Sequence, residues 1–360
     1  VAVKCGSEVA NGMPVTPLEI GKLREIARCS GPCVTIFLPA YRPGDQTLHS
    51  AARLLRNFVQ EASRALGVPP DGDLLQPLSA MARDAGTDQG CHWPRALFRC
   101  PQCFETVFLR EAAPAKCFAG GRIHILPVLG ELHLPPEFYL LRVSRKRAGF
   151  FRVRFSLEPL PMPGHLPDNV DAFLNLDKPD HDRENRSPAG PAANRRIRFG
   201  TGAPRETDPE SAAYYRALDR AIQELHPKAP LILAGVQEEV AVYREVSSHP
   251  ELVAGAIGEN SSDEEVVGRG YAMLREAAIE RGVRELAEAF HRLAPARLLT
   301  EPKAASAAAA EGRVARLFVR AGAGDELINA AAVETIARSG DVQLLPRERM
   351  EHPIVAALRY

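Results

Sequence analysis

Short β-branched or aromatic runs alternate along this chain with longer stretches whose apolar residues recur at helical spacing, so an α/β protein is expected. "TPLEIGKLREIARC" has Thr16 at an N-cap position, Pro17 at the first helical position and Glu19 at the third. That is a capping box with a proline start, and a helix is expected from it. "CVTIFLPAY" reads as a buried strand. "QTLHSAARLLRNFVQEASRAL" puts Leu54, Leu55, Phe58 and Ala62 on one helical face. A second helix is expected near Leu74–Ala85, with Pro77 inside it. Strands are expected at Arg95–Arg99, Phe104–Leu109 and Ile123–Val128, and this first unit ends near Pro135–Pro136.

Phe138–Val143 and Phe150–Phe155 alternate as two strands around the turn "SRKRAG", a β-hairpin with a basic tip. Loop sequence follows, Pro-rich to Pro167 and then polar and acidic to Asn185. Thr207 or Asp208 is expected to cap a helix that starts at Pro209 and carries Tyr214, Tyr215, Leu218, Ile222 and Leu225. "APLILAGV" reads as a buried strand and "QEEVAVYREV" as a helix, an order that suits a mixed α/β domain. One long helix or a pair is expected over Ser262–Leu293, with Asp263, Glu264 and Glu265 suiting its dipole. "EPKAASAAAAEGR" reads as a packed Ala-rich helix. Strand "VARLFV", helix "INAAAVETIARSG" with Gly340 as C-cap, strand "DVQLL" and terminal strand "IVAALRY" complete the pattern. The expected division is three domains, 1–136, 137–255 and 256–360, with no internal repeat.

Composition narrows the functional classes. The 360 residues carry 45 Lys and Arg against 45 Asp and Glu, so the formal net charge is zero. A molecule-wide polyanion binder is thereby excluded, and any nucleic-acid contact must be a local patch. No run approaches the roughly 18 apolar residues of a membrane span. The opening lacks a basic stretch followed by an apolar one, so no signal peptide and a cytoplasmic location are expected. Seven cysteines, an odd number, suit reduced thiols. "CPQC", Cys100 to Cys103, has a metal-ligand spacing, and the nearest further candidates in sequence are Cys91, His92 and Cys117. The alternating flanks "RALFR" and "FETVFL" favour a hairpin turn there instead, and no structural zinc is expected.

Catalytic motifs are missing. The sequence has no GxxxxGK[ST], no GxSxG and no HExxH, and "GTG" at Gly200 lacks the rest of a dinucleotide fingerprint. His181, Asp182 and Glu184 fall in a polar stretch that reads as a solvated loop. His226 ends a helix, where an imidazolium suits the dipole. Tyr214 and Tyr215 could stack on bases, although at least one is expected in the core. No catalytic residue, metal or cofactor is assigned. The stretch that carries chemistry is "RSPAGPAANRRIRFGTGAPR", residues 186–205. It holds five arginines, three prolines, three glycines and no acid. Arg186, Arg195, Arg196, Arg198 and Arg205 are candidate phosphate contacts, joined by Arg145, Lys146 and Arg147 at the hairpin tip.

"FYLLRVSRKRAGFFRV", "PLILAGVQEEVAVYREV" and "GRVARLFV…INAAAVETIARSGDVQLLPRERMEHPIVAALRY" resemble the bacterial branch of the archaeo-eukaryotic peptide-chain release factor and Pelota superfamily. "PCVTIFLPAYRPG" and "RLLRNFVQEASRAL" fit its N-terminal domain more loosely. The resemblance implies an N-terminal α/β domain, a central RNase H-like mixed-sheet domain and a C-terminal α-β-α domain like the kink-turn-binding ribosomal proteins. It implies a translation-associated factor whose partner is the ribosome or its RNA and tRNA, with no membrane role. The family's catalytic Gly-Gly-Gln loop precedes a long central helix, and residues 186–205 occupy that position here. The tripeptide is missing, and no Gln occurs between Gln102 and Gln223. Binding without Gly-Gly-Gln-type peptide release is expected. Two alternatives are an esterase acting on peptidyl-tRNA or a related ester, and a stress-linked protein-interaction module without an RNA role.

Overall fold

The computed structural model of the protein describes residues 9–10, 13–14, 18–40, 48–84, 93–110, 114–176, 209–226 and 228–360. They form an α/β structure in two compact units. One combines 1–136 with 268–360, and the other is 137–267.

The N-terminal part opens on a short ladder of β1 (Val9–Ala10) and β2 (Met13–Pro14). Next comes α1 (Ile20–Ala27), and Glu19, expected inside its first turn, is instead the extended residue ahead of it. Strand β3 (Cys33–Leu38) is followed by α2 (Leu48–Leu66), α3 (Gln76–Asp84), β4 (Arg95–Cys100), β5 (Cys103–Phe108) and β6 (Lys116–Gly120). The sheet order is β5-β4-β3-β6, all antiparallel. Every residue of β3 is buried because both faces are covered, which explains its unbroken apolar run. Val34, Ile36 and Leu38 pack with Leu55, Phe58, Val59 and Ala62 of α2, as the helical face predicts. Pro77 is harmless because α3 starts at Gln76, and a first-turn N–H has no intrahelical partner.

The second unit contains β7 (Phe138–Val143), β8 (Gly149–Val153), β9 (Leu157–Leu160), α4 (Val170–Leu176), α5 (Pro209–Leu225), β10 (Leu231–Gly235), α6 (Gln237–Val246) and β11 (Leu252–Ile257). Its mixed sheet runs β11-β10-β7-β8-β9. The β7–β9 strands form an antiparallel meander, while β7, β10 and β11 are parallel. Leu218, Ile222 and Tyr243 from α5 and α6 pack onto Leu141, Leu231 and Leu233.

The chain continues as one helix, α7 (Asp263–Arg292), with Ser262 and Glu265 forming a reciprocal capping box. The C-terminal elements are β12 (Leu298–Leu299), α8 (Pro302–Ala310), β13 (Val314–Arg320), α9 (Glu326–Ala337), β14 (Asp341–Leu345) and β15 (Ile354–Leu358). Their sheet order is β12-β15-β13-β14. This sheet and the N-terminal one share a single core, in which Ile26, Phe37, Phe98 and Ile125 join Ala308, Leu317, Ile328 and Ile336.

Two local readings are corrected. Ile123–Val128 is not a strand. Ile123 and Ile125 are buried, but residues Leu126–Glu131 turn into a 3₁₀ helix with a proline in its first turn, where Pro127 has no N–H for a ladder. Side chains serve this backbone in place of a neighbouring strand. The Ile125 N–H donates to Asn329 Oδ1 (2.9 Å), Asn329 Nδ2 donates to the Ile123 carbonyl (2.8 Å), and the His124 N–H donates to Thr35 Oγ1 (3.0 Å). At the end of α9 the left-handed residue is Ser339 (φ 60°), not Gly340. Gly340 is needed for room, since a Cβ there would lie 2.5 Å from Thr335 Cγ2 and 3.0 Å from the Val314 carbonyl oxygen.

Gly340→Ala should therefore destabilise by about 1–3 kcal/mol through overpacking. Ser339→Gly should stabilise by up to about 1 kcal/mol, because the left-handed strain is relieved while some chain entropy is lost. Urea melts of the two variants check the opposite signs. All five residues of β15 are buried, and the strand is hydrogen-bonded on both sides. Removing residues 354–360 should cost several kcal/mol against a typical stability of about 5–15, abolishing the native melting transition. A truncated chain that melts like the parent would show that β15 is dispensable.

Candidate nucleic-acid interface

Five of the eight basic candidates, Arg186, Arg195, Arg196, Arg198 and Arg205, lie outside the described residues, as do His181, Asp182 and Glu184. The elements that bracket them are described. Helix α4 ends at Leu176 and α5 begins at Pro209. The other three candidates, Arg145, Lys146 and Arg147, are exposed on the turn between β7 and β8.

That turn is fastened to both brackets. Arg145 Nη2 pairs with Glu210 Oε2 at 2.9 Å, in the first turn of α5. Arg147 Nε lies 3.7 Å from Asp168 Oδ2, two residues ahead of α4. Two backbone bonds support the second attachment. The Ala148 N–H donates to the Asp168 carbonyl (2.5 Å), and the Val170 N–H donates to the Arg145 carbonyl (3.2 Å). The basic tip is thus not a bare patch, because three cations share it with two carboxylates. Both pairs are exposed, with the Arg147 side chain 88% accessible. Such pairs contribute only about 0–1 kcal/mol, so a phosphate can displace either carboxylate at little cost. Asp168 and Glu210 escaped the sequence reading because each is far along the chain from its arginine.

The brackets themselves are rigidly seated. Tyr214 and Tyr215 on α5 are both fully buried, which removes them as base-stacking platforms. Tyr214 Oη donates to the Pro167 carbonyl (2.7 Å), tying α5 to the residue before Asp168. Tyr215 Oη donates to Glu239 Oε2 (2.5 Å). Burial first, and nearby carboxylates second, push both phenols above their ordinary range. Asp219 of α5 is 2% exposed and accepts from Tyr243 Oη (3.0 Å), Ser247 Oγ (2.5 Å), the Ser248 N–H (2.9 Å) and Gln223 Nε2 (2.7 Å). This carboxylate fixes α5 against the end of α6. His226 is corrected as well. Its ring stacks on Tyr139 with centroids 3.9 Å apart, and burial lowers its pKa, so the neutral ring is favoured over the expected imidazolium.

A cleft of about 420 Å³ lies where β10, α6 and β11 meet, lined by Gly235, Val240, Arg244, Gly255 and Ile257. Arg244 Nη2 is engaged there by the Val253 and Gly255 carbonyls. Among the described residues, the one group of three or more potential metal ligands is a cysteine set in the N-terminal sheet, remote in sequence from the basic tip. No helix of the described residues is long and apolar enough to cross a membrane.

A meander joined to parallel strands, with a basic turn paired to the first turn of α5, is the frame of residues 137–267. Residues 137–313 match a known protein family, and that stretch belongs to the bacterial branch of the archaeo-eukaryotic release factor superfamily. The family matched is bacterial archaeo-eukaryotic release factor family 3. No curated protein matches the chain. Solved structures align over most of its length at low similarity. A crystal structure of an archaeal translation termination factor, aRF1, is 14% identical over 96% of this chain and 99% of its own, with a TM-score of 0.23. A structure of ribosome-bound archaeal Pelota and ABCE1 gives 11%, 96%, 95% and 0.38. Pelota from Thermoplasma acidophilum gives 8%, 96%, 95% and 0.24. With scores this low, the family match alone carries the assignment.

The Asp219 network makes a stability prediction. Asp219→Ala leaves the buried Tyr243 hydroxyl and the part-buried Ser247 and Ser248 donors without this acceptor, and should cost about 3 kcal/mol. Chemical denaturation checks it, and a loss below about 1 kcal/mol would mean water replaces the carboxylate.

Proposed function

We propose that this protein is a cytoplasmic, translation-associated factor that binds the ribosome or structured RNA. Arg186, Arg195, Arg196, Arg198 and Arg205 contact phosphate, and Arg145, Lys146 and Arg147 at the β7–β8 tip extend the same basic surface. The observation that carries this reading is the pairing of the tip with Glu210 in the first turn of α5, and with Asp168 just ahead of α4. It puts the basic tip beside the first turn of α5, the helix that follows the arginine-rich stretch in sequence. Membership of a release factor family agrees with it. Without Gly-Gly-Gln, the protein acts by binding and recruitment rather than by positioning water on a peptidyl-tRNA ester. In this reading the chain follows the family's three parts, 1–136, 137–255 and 256–360. The central part is RNase H-like, and the C-terminal part is like kink-turn-binding ribosomal proteins.

Co-sedimentation with ribosomes across a salt series tests the proposal. Replacing Arg195, Arg196 and Arg198 by Ala should weaken binding and leave the melting temperature nearly unchanged. The slope of log affinity against log salt should fall by roughly 0.7–0.9 for each phosphate that is no longer neutralised. The tip variant with Arg145, Lys146 and Arg147 replaced by Ala should behave alike. Glu210→Gln should act in the opposite sense, strengthening binding because Arg145 is released to phosphate. Parent-like binding by both arginine variants at every salt concentration would sink the proposal.

A further inference from the structure

The arrangement of cysteines at one end of the N-terminal sheet points beyond this reading. Cys33 opens β3, Cys100 closes β4 and Cys103 opens β5, and these are three neighbouring strands in the order β5-β4-β3. Cys100 and Cys103 are cross-strand partners over a two-residue turn, so their side chains share a face. Cys33 stands across from Cys100, with Cα atoms 4.4 Å apart and the two sulfurs bonded. Cys29, just past the end of α1, completes the set. Its Sγ lies 2.9 Å from Cys103 Sγ, and the sulfurs of Cys29, Cys100 and Cys103 are all within 4.8 Å of one another.

Three sulfurs therefore cluster, with Cys33 bonded to one of them, and all four are delivered by two short loops, "CSGPC" and "CPQC". The loops pack face to face. Gly31 takes φ +100°, which only glycine adopts readily, and its α-carbon face lies against Pro101. The sequence pattern set the hairpin and the metal site against each other, and they are compatible. A hairpin that closes on Cys-x₂-Cys presents both thiols to one point. Cys29 and Cys33 supply the further sulfurs, while Cys91 and His92, the nearest candidates in sequence, lie outside the described residues. Cys117 faces the opposite side of the sheet, in the core beside α2.

We propose that Cys29, Cys33, Cys100 and Cys103 form a structural tetrathiolate zinc site. The ligand pairs have spacings x₃ and x₂, within the range used by Cys₄ sites. A tetrahedral ion with Zn–S bonds of about 2.3 Å needs sulfurs roughly 3.8 Å apart; the Cys29, Cys100 and Cys103 sulfurs already lie within 4.8 Å of one another, and reduction frees Cys33 and Cys100 to separate. Cys33 and Cys100 are fully buried and the other two partly so, leaving no open coordination position for catalysis. Loading starts from the reduced protein. A dithiol reductant first gives two electrons and two protons to the Cys33–Cys100 bond. The four thiols then release four protons as four Zn–S bonds form, leaving a centre of net charge −2. The ion ties the end of α1 to three strand ends, a junction otherwise made of short loops.

The test uses the full chain, produced with zinc in the medium and purified under dithiothreitol. Elemental analysis should find about one zinc per chain. Titrating the protein with a mercurial should release that zinc as four of the seven thiols react. Cys29→Ser and Cys103→Ser should each lower bound zinc about tenfold or more, while Cys117→Ser keeps it. Should a serine variant fail to fold, cobalt exchange into the parent still decides the matter, because a tetrathiolate cobalt centre has strong visible and sulfur-to-metal bands. Reduced parent protein without zinc overturns the proposal. So does zinc lost in Cys117→Ser, iron in place of zinc, or a metal-free chain four hydrogens lighter from two disulfides.

Discussion

Asn329 lies in a helix near one end of the chain, and its amide is hydrogen-bonded to the backbone on either side of His124, more than 200 residues earlier. It is 2% exposed. The segment it serves carries buried isoleucines, and among the described residues no strand pairs with it to take its N–H and C=O groups. Without that amide, a buried donor and a buried acceptor would go unpaired, at about 1–3 kcal/mol each. The shared core of the two sheets depends on this bridge. Apolar packing draws the N-terminal and C-terminal elements together, but it is non-directional. The Asn329 bonds set where they meet, and the buried Arg110–Glu131 pair (2.8 Å) anchors the far end of the same segment.

Residues 137–267 follow a different plan. Their sheet is continuous in sequence, and its specificity comes from tyrosine and carboxylate contacts on α5 and α6. Asp219 and Glu239 accept hydrogen bonds from the phenols of Tyr243 and Tyr215 in a setting from which water is largely excluded. The result is a stiff base under the β7–β8 turn. The turn itself is held by exposed, exchangeable ion pairs. Rigid support below and weak, replaceable ion pairs above leave the two carboxylates at the tip exchangeable.

Elements with strong local signals were legible in the sequence. The β7–β8 hairpin, α5 from Pro209, the long α7 and the buried β15 all follow from apolar period and capping residues. What escaped depended on distant partners. Ile123–Val128 is apolar enough for a strand, and nothing local says that Asn329 will take its backbone bonds. Ser339 rather than Gly340 adopts the left-handed turn, because space against Thr335 decides which residue must lack a Cβ. Edge strands β9 and β11 carry weak alternation, too weak to mark them as strands. At the interface, the basic residues were readable as an acid-free cluster. Their partners Asp168 and Glu210 were not, since no spacing rule links residues so far apart. The cysteine knot shows the same limit, with "CPQC" visible alone and its complement hidden in what read as the end of a helix.

The order of the strands also constrains how this chain can be made. β15 sits between β12 and β13, and the core beneath it draws on Ile26, Phe37 and Ile125 from the other end of the sequence. As the chain is synthesised, that core cannot close until residues 354–358 have left the ribosomal tunnel. Residues 137–267 have all their strands in one continuous stretch, and can fold while synthesis continues. The N-terminal sheet must wait through that interval with an apolar face uncovered. Its exposed face is then open to chaperones or to misassociation while the following two hundred or so residues are translated.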